Sequence, residues 1–357
     1  MKKLLIATTA LVGTASVAAA DITMSGYGRF GILWNEDRTN IGSGDSQENA
    51  RFENRFRLNI DGVSETDGGV RFAVRVRGES NENQKGEVQS FGFNAPRFQV
   101  SAGGFRVRAG NISGVTDASE TINWFGIEPG LTGQTGQYVT HGGQVLSGYE
   151  GYSSTGDGST GINVKYEVGD FAIMGSWQPD FDEFKPKTKS DLDRGTWEVG
   201  ASYTFSNWTI GGVYGHGDFN GDGGSNSGVN NLDYNWWAVS LTGAIGAADV
   251  TAFVGNTNID EDTSDLANAF DLDEDTVEGY WGGDYKDKVA YGLSGSYPIG
   301  AATALTGSIA GGGDKQLKIA YGIGVDHSLG GGVNLKGFGG QNQYGDMYAD
   351  FGVIFNF

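Results

Sequence analysis

The chain has 357 residues, of which 38% are hydrophobic, with 62 Gly, 5 Pro, no Cys and a formal net charge of −20. The absence of cysteine excludes disulfide stapling and thiolate metal sites, and the acidic balance argues against nucleic acid as a partner. Abundant glycine beside 20 Phe, 15 Tyr and 8 Trp fits antiparallel strands joined by turns, whereas disordered chains lack aromatics.

Residues 1–20 read as a cleavable secretory signal. Lys2 and Lys3 supply the basic start, Leu4 to Val12 the apolar run, and Ala18-Ala19-Ala20 the small-residue cleavage site. The alternative is a retained anchor, for which the apolar run is short. Cleavage makes Asp21 the mature N-terminus and the net charge −22, because Lys2 and Lys3 leave. No later apolar run reaches the about 20 residues of a membrane-crossing helix. Residues 21–357 are therefore expected to form one unit built from strands.

Period-two alternation predicts strands near 22–34, 50–62, 69–79, 97–103 and 105–110. In the first, Gly26-Tyr27-Gly28-Arg29-Phe30-Gly31 matches G-x-G-x-x-G, but a dinucleotide site needs that run at a strand-to-helix turn. In the second, Arg51, Arg55 and Arg57 share a face with Glu53, Asn59 and Asp61, opposite Phe52, Phe56, Leu58 and Ile60. In the third, Arg71, Arg75 and Arg77 lie opposite Val70, Phe72, Val74 and Val76. The turn at 62–69 makes these two strands a hairpin, with Arg29 beside them. On an ordinary solvated sheet face such like charges would repel one another. Because arginine stays charged when crowded, a concentrated positive wall is the more specific reading.

The stretch from Asn111 to about Thr160 has no strand pattern, and a loop that long needs a function. It carries Asp117, Glu120 and Glu128, with Ile122, Trp124, Phe125 and Ile127 able to pack it against a wall. Folded inward, residues 111–159 would narrow a channel and oppose these acids to the arginines. The alternative is an outward-facing loop.

Further strands are predicted near 160–168, 170–178, 193–205, 207–216, 233–245 and 248–257, then 285–298, 302–311, 316–328, 332–340 and 347–357. The total is sixteen, an even number, as a closed antiparallel barrel requires with both termini at one end. Trp197, Val199, Ala201, Tyr203 and Phe205 alternate with Glu198, Gly200, Ser202 and Thr204. In a soluble sandwich the apolar face would be the core. The connections decide otherwise, because tight turns at Gly169-Asp170, Ser206-Asn207 and near Gly246 alternate with long polar stretches. Short at one end and long at the other is the asymmetry of outer-membrane barrels. Closure is also required physically, because lipid offers no partner for an open sheet edge.

Divalent-cation signals lie in the long connections. Asp218-x-Asn220-x-Asp222-Gly223 opens like an EF-hand loop, yet Val229 stands where the closing acid belongs. Asp271, Asp273 and Asp275 share the spacing without the Gly and closing Glu. A solvated acidic loop is the simpler reading of both. Even so, such loops would attract Ca²⁺ or Mg²⁺ shared with lipopolysaccharide phosphates. His141, His216 and His327 have no ligand spacing, and no nucleophile–base signature emerges. An enzyme is not expected.

"SGYGRFGILWNEDR" at 25–38, "RFRLNIDGVSETDGGVRFAVRVR" at 55–77, "AYGLSGSYPIGAAT" at 290–303 and the ending "DFGVIFNF" together resemble the alphaproteobacterial general porins of the Rhodobacter type. The resemblance implies a homotrimer of sixteen-stranded outer-membrane barrels, each with its third long loop inside. That loop and an arginine wall would form the eyelet for passive diffusion. The arginines carry over by strand position, the acids only by loop. The terminal strand ending in Phe357 is similar to the recognition signal of the outer-membrane barrel assembly machinery. Two rivals stay open: a channel specific for one sugar or anion, and a structural barrel with a plugged lumen.

Overall fold

The computed structural model describes residues 21–36, 48–83, 86–124, 126–127, 129–132, 152–156, 160–179, 195–219, 232–259, 288–313 and 317–357. The first part of the chain forms β1 (Asp21–Asn35), β2 (Ala50–Glu65), β3 (Arg71–Asn81), β4 (Gly92–Phe93), β5 (Arg97–Ala102) and β6 (Phe105–Asn111), then a single helical turn, α1 (Val115–Ala118). Next come β7 (Thr160–Val168), β8 (Phe171–Pro179), β9 (Gly195–Phe205), β10 (Trp208–Phe219), β11 (Leu232–Ile245) and β12 (Ala248–Ile259). The last are β13 (Lys288–Pro298), β14 (Thr303–Gly312), β15 (Ala320–Gly330), β16 (Val333–Gln341) and β17 (Met347–Asn356).

These seventeen strands form one antiparallel sheet in chain order. The wall has sixteen positions, because β4 and β5 lie end to end along β3. β1 pairs with both β2 and β17, and that double pairing closes the barrel. The closing register runs from Tyr27 opposite Asn356 to Asn35 opposite Tyr348. Backbone hydrogen bonds between Gly26 and Phe357, 3.0 and 3.1 Å long, extend it by one residue pair.

Alternation is resolved as expected. Phe52, Phe98, Phe105, Val199, Tyr203, Ile323 and Phe351 are exposed on the outer face, while Glu53, Asn163, Glu198 and Asp350 are buried on the inner one. Turns at one end are tight. Gly103-Gly104 has φ of 55° and 82°, and Gly331-Gly332 has 60° and 81°. Positive φ at both central residues is the hairpin geometry that matches strand twist, and glycine reaches it without steric cost.

The inside is divided between two kinds of wall. From β8 to β14 the inner face holds a packed apolar cluster that includes Met174, Val213, Trp236, Ala238, Phe253, Ala290 and Ala310. Val115, Ile122 and Trp124, from the segment after β6, complete that cluster. From β1 to β7 the inner face is charged.

Candidate functional site

The charged sector is built by register. Arg29 stands opposite Arg55, Arg57 opposite Glu79, Arg75 opposite Asp61, and Arg77 opposite Asn59. Carboxylates are interleaved among the guanidiniums, which is what holds like charges at strand spacing. Arg51 pairs with Glu53 at 2.7 Å, and Arg29 approaches Glu53 and Glu82 at 3.6 and 3.8 Å. Arg57 pairs with Glu79 at 2.5 Å, and Arg55 lies 3.8 Å from it. Arg75 grips Asp61 through two hydrogen bonds of 2.7 and 2.9 Å. Arg71 is exposed at the start of β3, in register with Glu65.

The hairpin of β5 and β6 extends this wall with Arg97, Arg106 and Arg108, and β7 adds Lys165. Sequence reasoning missed these four, although period two along the predicted strands 97–103, 105–110 and 160–168 puts them on the same face. Glu120 is held among three of them, with Arg106 at 2.7 Å, Arg108 at 2.8 Å and Lys165 at 2.9 Å. Burial raises the pKa of Glu120. Hydrogen bonds from Arg106 and Lys165, with the charges of Arg106 and Arg108, outweigh that and hold it at about 2. Glu120 is thus in direct contact with Arg106, Arg108 and Lys165, none of which is among the seven arginines singled out from sequence.

The segment after β6 follows the inner wall strand by strand. Asn163 of β7 donates to the Ser113 carbonyl at 2.9 Å, and Ser176 of β8 accepts from the Val115 backbone at 3.2 Å. Glu198 of β9 accepts from the backbone N–H and hydroxyl of Thr116. Ser240 of β11 accepts from the Asn123 backbone at 2.8 Å, and Ser294 of β13 from Ile127 at 2.7 Å. Asp350 of β17 then takes the backbone N–H groups of Leu131 and Thr132 at 2.9 and 3.0 Å. Arg29 closes the circuit with a 3.4 Å bond to the Thr132 carbonyl.

Glycine makes room for this path. A Cβ at Gly200 would lie 2.5 Å from Thr121 Oγ1, and one at Gly211 2.2 Å from the Thr121 carbonyl. Buried Trp124 donates its indole N–H to the Thr116 carbonyl at 3.0 Å. Full burial of such a ring contributes roughly 2–3 kcal/mol, so the apolar cluster and the polar anchors act together.

The returning leg reaches the basic wall. The Tyr152 ring lies 4.5 Å from the Arg77 guanidinium and 5.2 Å from that of Arg97. Ser154 Oγ accepts from Arg77 at 3.1 Å and from Arg57 at 3.4 Å. Asp117 ties the two legs together by accepting from the Tyr152 backbone at 2.9 Å, and it makes no ion pair among the described residues. Glu128 lies outside the described residues, as do Asn220 and Asp222. Asp218 is the second-to-last residue of β10, in register with Asp233 of β11.

A closed barrel with a chain segment bonded along its inner face is the setting in which relatives become informative. The Gram-negative porin family model matches residues 7–346. The chain belongs to the Gram-negative porins. A porin of Fuscovulum blasticum is 26% identical over 300 residues, covering 72% of this chain and 91% of that one. Solved variants of the Rhodopseudomonas blastica porin share the fold. One, a triple mutant, has a TM-score of 0.68, and another, a mutant with introduced tryptophans, has 0.69. Both are 22% identical and cover 94% of this chain and 100% of their own. The porin is an outer-membrane channel protein, and its exposed aromatic and aliphatic outer face is the surface that meets lipid.

Proposed function

We propose that this porin is a general diffusion channel for ions and small hydrophilic solutes, narrowed by residues 111–159 lying in the lumen. The observation that carries the reading is the ordered series of anchors at Ser176, Glu198, Ser240, Ser294 and Asp350, all side chains of the inner face. They line one side with loop and leave the opposite side to arginines. Arg29, Arg51, Arg55, Arg57, Arg71, Arg75 and Arg77 are the pore-lining cations of this reading, with Asp117, Glu120 and Glu128 as the loop acids. The excess of guanidiniums over the carboxylates interleaved with them on one wall makes a field across the channel. Polar solutes orient in that field and pass, whereas bulky apolar ones would have to strip its ordered water. No chemical step is needed.

The assembly belongs to the same proposal. Residues 1–20 are removed on export, the barrel is a homotrimer in the outer membrane, and its C-terminal strand engages the barrel assembly machinery. Acidic connections at the outer surface share Ca²⁺ with lipopolysaccharide. Asp218, Asn220 and Asp222 are the best-spaced ligands, supported by the adjacent register of Asp218 and Asp233 at the rim.

Reconstitution of the full chain in a planar bilayer tests the function. Steady single-channel current in KCl is expected. A membrane that stays closed would point to a plugged barrel.

A further inference from the structure

Toward the short-turn end of the basic wall lies a cavity of about 420 Å³, lined among others by Arg71, Arg75, Arg97, Arg108, Gln99 and Asp61. Its guanidiniums converge by register, with Arg75 opposite Arg97 and Arg108 opposite Gln99 across neighbouring strands. The acid in its lining, Asp61, and the neighbouring Glu120 are already engaged. Both oxygens of Asp61 accept from Arg75, and Glu120 is shared by Arg106, Arg108 and Lys165. Neither Arg71 nor Arg97 makes an ion pair among the described residues. The Tyr152 ring lies 5.2 Å from the Arg97 guanidinium on one side, a cation–π contact that leaves its N–H groups for another partner.

We infer that this cavity is a binding subsite for small dianions bearing phosphate or carboxylate groups, holding them on one wall of the pore as they pass. The inference rests on the reading of this face as the lumen. Arginine forks match the paired oxygens of phosphate and carboxylate, and two forks without internal partners favour a doubly charged ligand over chloride. The volume falls within the range of small-molecule sites, enough for a sugar phosphate or dicarboxylate. Both ligand types share the recognising chemistry, and the test separates them.

Single-channel current of the full chain is recorded in dilute KCl at pH 8 with added inorganic phosphate, succinate or glucose. Saturable block by phosphate, succinate or both is expected, with none from glucose; whichever anion blocks at lower concentration identifies the source. Arg71→Gln, at an exposed side chain that the fold does not need, is expected to raise the half-blocking concentration by about tenfold, the worth of one charge-assisted hydrogen bond. Arg97→Lys keeps the charge but loses the fork, and is expected to weaken block as well. Lys336→Gln removes a cation from another part of the wall, where Lys336 pairs with Asp326, and should leave block intact. A conducting channel that ignores both anions, or whose block survives both arginine changes, would overturn the subsite alone. A preparation that carries no current would overturn the pore reading and the subsite with it.

Discussion

Glu198 on β9 holds Thr116, accepting from its backbone N–H and its hydroxyl, although the two residues are 82 positions apart in sequence. The carboxylate is almost fully buried, so its removal leaves the Thr116 N–H without a partner in a dry setting. Each such loss costs about 1–3 kcal/mol. Glu198→Ala should therefore loosen the segment and leave the barrel intact. Amide exchange at 115–124 is expected to accelerate, and current noise to rise, with unchanged heat-modified migration in SDS. Unaltered exchange at Thr116 would show that the apolar cluster alone fixes the path.

Glu120 gives a pH test. Its folded pKa, about 2, lies below the ordinary carboxylate value, so its ion pairs stabilise the segment fully above about pH 4.5. That contribution fades as pH falls from there through about 2. Ion selectivity should hold down to about pH 3 and shift toward anions as pH falls through about 2, because a proton on Glu120 leaves three cations uncompensated. Glu120→Gln at pH 7 should mimic the acid state. Acid-state selectivity that the variant does not reproduce would assign the effect to another carboxylate.

Most of the barrel is legible in the sequence because lipid on one side and water on the other impose strict alternation. Predicted strands at 97–103, 160–168 and 233–245 are observed at 97–102, 160–168 and 232–245. The predicted start of β15 at 316 gives way to Ala320, since an apolar periodicity does not say where pairing stops. Two short elements escaped. β4 has two residues and α1 four, too few to show any period. The path of the segment along these side chains is harder to read, because its anchors are single Ser, Glu and Asp residues on five different strands. One signal does exist: inward glycines such as Gly200 and Gly211 mark where another backbone comes close.

The arginine wall makes a stronger prediction than charge counting suggests. Arg57 and Arg75 neutralise Glu79 and Asp61 directly. Replacing Arg55, Arg57 and Arg75 with Ser therefore removes three cations and also frees two acids. Conductance should rise and selectivity move toward cations. The effect should shrink with salt, since the Debye length falls from about 10 Å at 0.1 M to about 3 Å at 1 M. Wild-type selectivity in the triple variant at low salt would mean these side chains do not line the narrow part.

Assembly is tested by heat and chelation. The unheated protein should migrate in SDS as a trimer and collapse to monomer on boiling. If acidic connections share Ca²⁺, chelation by EDTA should lower the dissociation temperature, and Asp218→Asn should blunt that response. Identical migration before and after boiling would count against both trimer and barrel stability.

Phe357 joins the two ends of the barrel. Its backbone bonds with Gly26 in both directions, and its exposed ring stacks on Phe56 at 5.9 Å and lies 6.4 Å from Phe355. Deleting it removes the last rung of the β1–β17 seam and an outer-face aromatic at the short-turn end. An unpaired edge in lipid has no other partner, so insertion should suffer well before secretion does. Pulse-labelled protein from cells making the deletion is expected to accumulate outside the inner membrane, soluble and protease-sensitive. Phe357→Tyr keeps the ring and the backbone and should insert normally. Full outer-membrane yield of the deletion would show that closure is complete at Asn356.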